Sequence, residues 1–187
     1  MVRRALPGGF TLIELVMVLV VLGVIVGFAY PRVNIIRFRM DAGARLTRAT
    51  LQRAQRLAIT RQYDVVVSFD LANNRMRLVE DANNNTRVDV GEHVEWRPLE
   101  EKARFAVPPV GVNGVVSAAI VGSQLKTVDG MSTVVFHRNG AASTDLEVFL
   151  SAGRSNNNDF REVSVAQATG RTEWSRYINS RWKAGSL

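Results

Sequence analysis

The feature that most constrains this chain is an uncharged apolar run headed by a carboxylate. Residues 15–30 read LVMVLVVLGVIVGFAY, sixteen positions without a charge, and Glu14 stands immediately before them. Counted from Phe10 to Tyr30, the segment has 21 residues. As an α-helix that is about 31 Å, which matches a hydrocarbon core of roughly 30 Å. Arg3 and Arg4 precede it and favour a cytoplasmic N-terminus. A secretory signal peptide has a similar basic start, and Gly27-Phe28-Ala29 has the small-x-small pattern of a cleavage site. The run is longer than the usual apolar region of about 7–15 residues in such a signal. Glu14 also carries a cost, because a carboxylate inside a bilayer is unfavourable by on the order of 3 kcal/mol. Thr11 and Glu14 have capping-box spacing, which offers a local role at a helix N-terminus. A charge inside an apolar span asks in addition for a partner charge.

The 187 residues predict one compact domain plus attachments. The absence of cysteine excludes a disulfide framework, a zinc site built on thiolates and a thiol nucleophile. The formal charge is +7, and almost all the cations are arginines, the lysines being Lys102, Lys126 and Lys183. Such an excess permits contact with nucleic acid or anionic lipid. From residue 33 to 61 the chain is rich in Ala, Leu, Arg and Gln, strong helix formers, with Leu46, Thr50, Ala54, Leu57 and Ala58 on one face. Arg32, Arg37, Arg39, Arg45, Arg48, Arg53, Arg56 and Arg61 face a single acid there, Asp41. That charge belongs to a solvated face, to lipid headgroups or to an acidic neighbouring subunit.

After Tyr63 the periodicity changes to two and β-branched residues dominate. Strands are expected at 65–69 and 75–80, a hairpin around LANN, and at 93–97, 103–107, 115–121, 133–138, 146–150 and 161–166. Successive strands without helices between them argue for antiparallel pairing. The predicted fold class is α+β: a long N-terminal helix, transmembrane in its first half and kinked near Pro31, packed on an antiparallel β-sheet head. The expected divisions are a leader at 1–9, a membrane or filament-core helix at 10–30, an amphipathic continuation at 31–62 and a β-rich periplasmic head at 63–187.

The stretch GFTLIEL, Gly9–Leu15, resembles the processing signal of type IV pilins and type II secretion pseudopilins. The head segments AQRLAITRQYDVVVSF, EDANNNTRVDVGEHVEW, STVVFHRNG and REVSVAQATGR resemble the GspH/FimT family of minor pilins and pseudopilins. The resemblance implies that a prepilin peptidase cuts between Gly9 and Phe10 and that Phe10 is then N-methylated. It implies that Glu14 meets the N-terminal amine of Phe10 in a neighbouring subunit. Opposite charges in a low-dielectric setting are costly alone and favourable together. It also implies an inner-membrane location with the N-terminus cytoplasmic and the head periplasmic. The implied partners are other subunits, the peptidase, an inner-membrane assembly platform and the lipid bilayer.

Two patterns in the head suggest ligands. Asp81, Asn83, Asn85, Asp89 and Glu92 place oxygens at positions 1, 3, 5, 9 and 12, the spacing of a calcium loop, although Thr86 stands where that loop needs glycine. A polar hairpin turn accounts for the same residues without a metal. The tail interleaves Arg171, Arg176, Arg181 and Lys183 with Trp174, Tyr177 and Trp182, cations beside aromatic platforms suited to DNA. Some relatives of the FimT type bind DNA through Gly-Arg-x-Arg. Gly170-Arg171-Thr172 matches its start, and Glu173 replaces its second arginine. The alternative is a final strand or helix whose aromatics complete the core. His93 and His137 lie outside any catalytic motif, which argues against an enzyme. The sequence reads as a structural subunit of a type IV pilus or a type II secretion pseudopilus, with a DNA-binding minor pilin as the alternative.

Overall fold

The structure is a computed structural model that describes residues 9–29, 35–99, 103–152 and 159–185. It divides into two compact units, Met1–Ile35 and Ile36–Leu187. The first unit holds helix α1, Leu12–Ala29. Its start is set by Thr11, whose Oγ1 accepts from the Glu14 backbone N–H at 3.3 Å and whose carbonyl accepts from Leu15 N at 3.2 Å. The helix has 18 residues, about 27 Å of rise. Among the described residues no helix is long and apolar enough to cross a membrane. The expected span 10–30 ends at Tyr30, and the kink expected at Pro31 falls at residue 31; both lie outside the described residues.

The second unit is built around α2, Ile35–Arg61. Met40, Ala44, Thr47, Leu51, Ala54 and Ala58 are buried at helical spacing. The inward face therefore differs from the expected one: Leu46 and Leu57 are only half-buried. The reason is close approach. Small residues bring the helix backbone near its neighbours, and a Cβ added at Gly43 would stand 2.9 Å from Ala103 Cβ. A reading weighted toward large aliphatics misses such a seam.

Two antiparallel sheets share a core with this helix. Sheet A has the order β3-β2-β1-β7-β6, formed by β1 Asp64–Asp70, β2 Arg75–Asp81, β3 His93–Pro98, β6 Lys126–Val128 and β7 Met131–Phe136. Sheet B has the order β11-β10-β9-β8-β4, with β5 also on β8; its strands are β4 Arg104–Phe105, β5 Ile120–Val121, β8 Leu146–Ser151, β9 Phe160–Val165, β10 Thr172–Ile178 and β11 Arg181–Ala184. Val65, Val67 and Phe69 of sheet A join Leu146, Val148, Leu150, Val163 and Trp174 of sheet B and the α2 seam in one hydrophobic cluster. Val66, Val79 and Val135 on the other face of sheet A are covered by Val88. That cover explains why β1 is buried almost end to end rather than alternating.

Polar pins hold α2 in place. The buried Arg161 of β9 donates from Nε to Asp41 Oδ1 at 2.6 Å and from a terminal nitrogen to Asp159 Oδ1 at 3.2 Å. Gln55 Nε2 donates to the Gly140 and Thr169 carbonyls, both at 2.8 Å, tying the turn after β7 to the turn after β9. Gly170, at φ +63°, belongs to the second of those turns. A Cβ there would lie 2.2 Å from the Gly140 oxygen and 2.4 Å from Gln55 Nε2.

Several expected boundaries shift. Residues 115–118 are not strand; only Ile120–Val121 pairs, with β8. Segment 106–119 instead leaves the edge of β8, reaches Trp182 on β11 through a 2.9 Å bond from its Nε1 to the Val110 carbonyl, and returns to the same edge. The tail forms the β10–β11 hairpin. Its turn residues Asn179 and Ser180 have φ +51° and +60°, as a primed two-residue turn requires. Gly170→Ala should destabilise the chain by about 2 kcal/mol or more, from left-handed strain plus the carbonyl clash. Thermal or denaturant unfolding checks this.

Candidate assembly site

Gly9 and Phe10 precede α1, and both are exposed, Phe10 at 83%. A Cβ added at Gly9 would meet nothing within 4 Å, so no packing within the described residues demands glycine there. Glu14 lies in the first turn of α1, where a negative charge suits the helix dipole. Its backbone N–H completes half of a capping box with Thr11. Among the described residues its carboxylate has no hydrogen bond or ion pair, and it is exposed, like the apolar side chains from Leu12 to Ile25. The geometry is a rigid apolar rod carrying an unpartnered acid one turn from its start.

The loop 81–92 does not gather its acids around a cation site. Both Asp81 carboxylate oxygens accept backbone bonds, from Asn85 N at 3.0 Å and Thr86 N at 2.7 Å. Asp89 Oδ2 accepts from the Asn83 and Asn85 amides at 2.8 and 2.6 Å. Those two amides hold the Asp89 carboxyl below its ordinary value. Glu92 Oε2 accepts from Asp89 N at 3.0 Å. Asn83 and Asn85 thus turn nitrogen, not oxygen, toward Asp89. Among the described residues no three His, Cys, Asp or Glu side chains are placed to hold a metal ion. The residues fit a self-satisfied turn, with Thr86 in the left-handed region at φ +61°. The geometry gives no support to calcium as a ligand of Asp81, Asn83, Asn85, Asp89 and Glu92.

The tail does not present the DNA surface expected of it. Trp174 is 4% exposed and belongs to the core, so its ring offers no face to a base; this corrects its assignment. Arg171 pairs with Glu173 at 2.6 Å on the surface. Tyr177 and Trp182 pack together, with ring centroids 5.2 Å apart, and Trp182 also contacts Phe149 at 5.8 Å. Arg181 and Lys183 are exposed on the edge strand β11, while Arg176 lies half-buried near Trp174, its guanidinium carbon 6.0 Å from the ring centroid. The aromatic residues finish packing, and of the tail's cations Arg176 is the one seen against a ring.

Residues 7–30 match the family model described as the prokaryotic N-terminal methylation motif. The match encloses Gly9, Phe10 and Glu14. No curated protein matches the chain. Among solved structures, the type IV minor pilin FimU of Pseudomonas aeruginosa aligns at 13% identity and TM-score 0.46, over 76% of this chain and 96% of that one. The minor pseudopilin EpsH from the type 2 secretion system of Vibrio cholerae aligns at 11% identity and TM-score 0.47, over 78% and 97%. Similarity at this level transfers no function.

One titratable group escaped sequence reasoning. Glu162 on β9 is 3% exposed. Period-two alternation reads it as a solvent-facing polar residue, yet it is buried on the outer face of sheet B. Burial pushes its carboxyl from 4.5 up to about 7, the Glu147 charge adds to this, and the Ser164 and Ser175 hydroxyls oppose it. Between about pH 4.5 and 7 the unfolded chain ionises this group while the folded chain does not. The folded state therefore binds more protons, and stability falls as pH rises through that window, by about 3 kcal/mol at most. Glu162→Gln should flatten the decline, measured as melting temperature against pH. For the loop 81–92, adding a calcium chelator should leave the melting temperature unchanged.

Proposed function

We propose that this chain is a subunit of a type IV pilus or a type II secretion pseudopilus, built into its filament through the N-terminal helix. The observation that carries the reading is the methylation motif at 7–30 around an open Gly9–Phe10 bond and an unpartnered Glu14. A prepilin peptidase cuts between Gly9 and Phe10, and the new Phe10 amine is methylated. Since nothing in the described fold requires glycine at position 9, its choice suits selection by an outside enzyme. Before assembly the apolar segment anchors the chain in the inner membrane, with the N-terminus cytoplasmic and the head periplasmic. An inner-membrane assembly platform then delivers it to the filament.

Glu14 supplies direction and register. Its cost in a bilayer, on the order of 3 kcal/mol, falls when it meets the positive Phe10 amine of the neighbouring subunit. A subunit displaced along the helix axis leaves both charges unpaired, so the pair selects one stagger. The DNA-binding alternative has no observation in its favour, given the burial of Trp174 and the Arg171–Glu173 pair.

Glu14→Ala should leave cleavage intact, with mass spectrometry finding a mature chain that starts at methylated Phe10, and should lower incorporation into sheared filaments at least tenfold. Normal incorporation reduces Glu14 to a helix cap, and a mature N-terminus at Tyr30 refutes the subunit reading.

A further inference from the structure

The second unit has two separate faces of opposite charge. The buried seam of α2 and the inner faces of both sheets meet in one core, so the outward face of α2 and the outer face of sheet B are different surfaces of the unit. The outward face of α2 carries Arg45, Ala49, Arg53 and Arg56 along three turns, flanked by Arg48. Asp41 is the one acid in the helix, and Arg161 holds it. Arg53 has Glu95 at 3.0 Å. Among the described residues Arg45, Arg48 and Arg56 have no carboxylate partner, and Arg48 Nε is buried without an acceptor. Arg45/Arg48 and Arg53/Arg56 are like charges one turn apart, which destabilises a helix.

The outer face of sheet B shows the reverse. Glu147, Ser164 and Glu173 stand in register across β8, β9 and β10. Asp145 immediately precedes β8, and Glu162 is one row away. Against these acids stands one paired cation, Arg171 on Glu173. Burial is the main cause of the upward shift of Glu162, and the charges of Glu147 and, least, Glu173 add to it. Asp145 and Glu173 are exposed and Glu147 is half-exposed.

We infer that a second copy of this chain docks its arginine-bearing α2 face onto the Asp145/Glu147/Glu173 face of the first. The contact rests on the proposed function above and gives its subunits a lateral surface. Because the two faces are different surfaces of one subunit, the contact is heterologous and leaves a free face of each sign on a pair. The net charge of +7 makes unoriented encounters between copies repulsive. Complementary patches then set orientation more than raw affinity.

The chain contains no cysteine, so single thiols report contacts cleanly. In cells making the full-length chain, Ala49→Cys marks the helix face and Ser164→Cys the point between Glu147 and Glu173. A short bifunctional thiol reagent should join the two variants when they are co-produced, with little product from either alone. Arg45→Glu with Arg56→Glu in the Ala49→Cys chain should lower the yield about tenfold. Glu147→Lys with Glu173→Lys in the Ser164→Cys chain should restore it, which also establishes that both charge-reversed chains fold. Absence of the 49–164 product overturns the inference, as does a 49–49 product of equal yield or a reversal without effect. If Glu14 behaves as proposed above while these products are absent, the docking fails and the subunit reading stands.

Discussion

The second unit depends on how closely α2 approaches the sheets. Ala44, Ala54 and Ala58 contribute little area each, yet they let the helix sink until Met40, Leu51, Phe69, Leu146 and Trp174 share one cluster. Burial of each large side chain is worth about 1.5–3 kcal/mol. A wider separation would lose many of those contacts together, because a packed interior gains from contact distance as much as from area. The polar pins follow from that approach. Arg161 reaches Asp41, and Gln55 reaches two carbonyls, only because the helix lies at that depth. They add specificity: a helix rotated to put Leu46 and Leu57 inward would leave a buried guanidinium and two turn carbonyls unpaired.

Legibility followed the range of the interactions. The strands at 64–70, 75–81, 93–98 and 146–151 were readable because alternation and β-branching act over a few residues. The β10–β11 hairpin was not, since Asn179-Ser180 lacks the usual glycine and adopts left-handed φ under the pull of the ladder. Of the expected helix face, Thr50, Ala54 and Ala58 are buried and Leu57 packs on the core from a half-buried position, while Met40, Ala44 and Leu51 extend the seam. Glu162 was invisible because its burial is not a property of the strand's alternation. The processing site had the opposite character: Gly9, Phe10 and Glu14 lie within six residues, and their pattern is local. The candidate calcium and DNA residues shared a further weakness. Spacing records which groups are present but not which way an amide turns or whether an indole is buried. Asn83, Asn85 and Trp174 were decided by tertiary contacts.

The two units differ in how complete they are. The second satisfies its own core. The first is a helix whose side chains from Leu12 to Ile25 are exposed, with Leu12 at 81%, Met17 at 68% and Leu19 at 60%. In water such a rod would forfeit roughly 25 cal/mol for each Å² of apolar surface left wet. An isolated helix of this length gains little from hydrogen bonding alone. Within the described residues nothing covers these side chains, so under the proposed function lipid or other helices of its kind supply the missing cover.

That difference sets the energetics of assembly. Moving α1 from lipid into a bundle of like helices exchanges one apolar environment for another, so the hydrophobic effect contributes little to the step. Under the proposed function, what changes is Glu14, unpaired in lipid and paired in the bundle. A single charge pair can then decide stagger while bulk burial supplies cohesion without direction. The head acts on a different axis. The arginines of α2 and the carboxylates of sheet B are wet in the free subunit, so their attraction is screened by salt and worth about 1 kcal/mol or less per pair. If the two proposed contacts hold, ones of that size tune lateral orientation and are reversible, whereas a desolvated Glu14 pair fixes register. Such a subunit separates a buried interaction that sets order along a filament from exposed ones that set rotation around it.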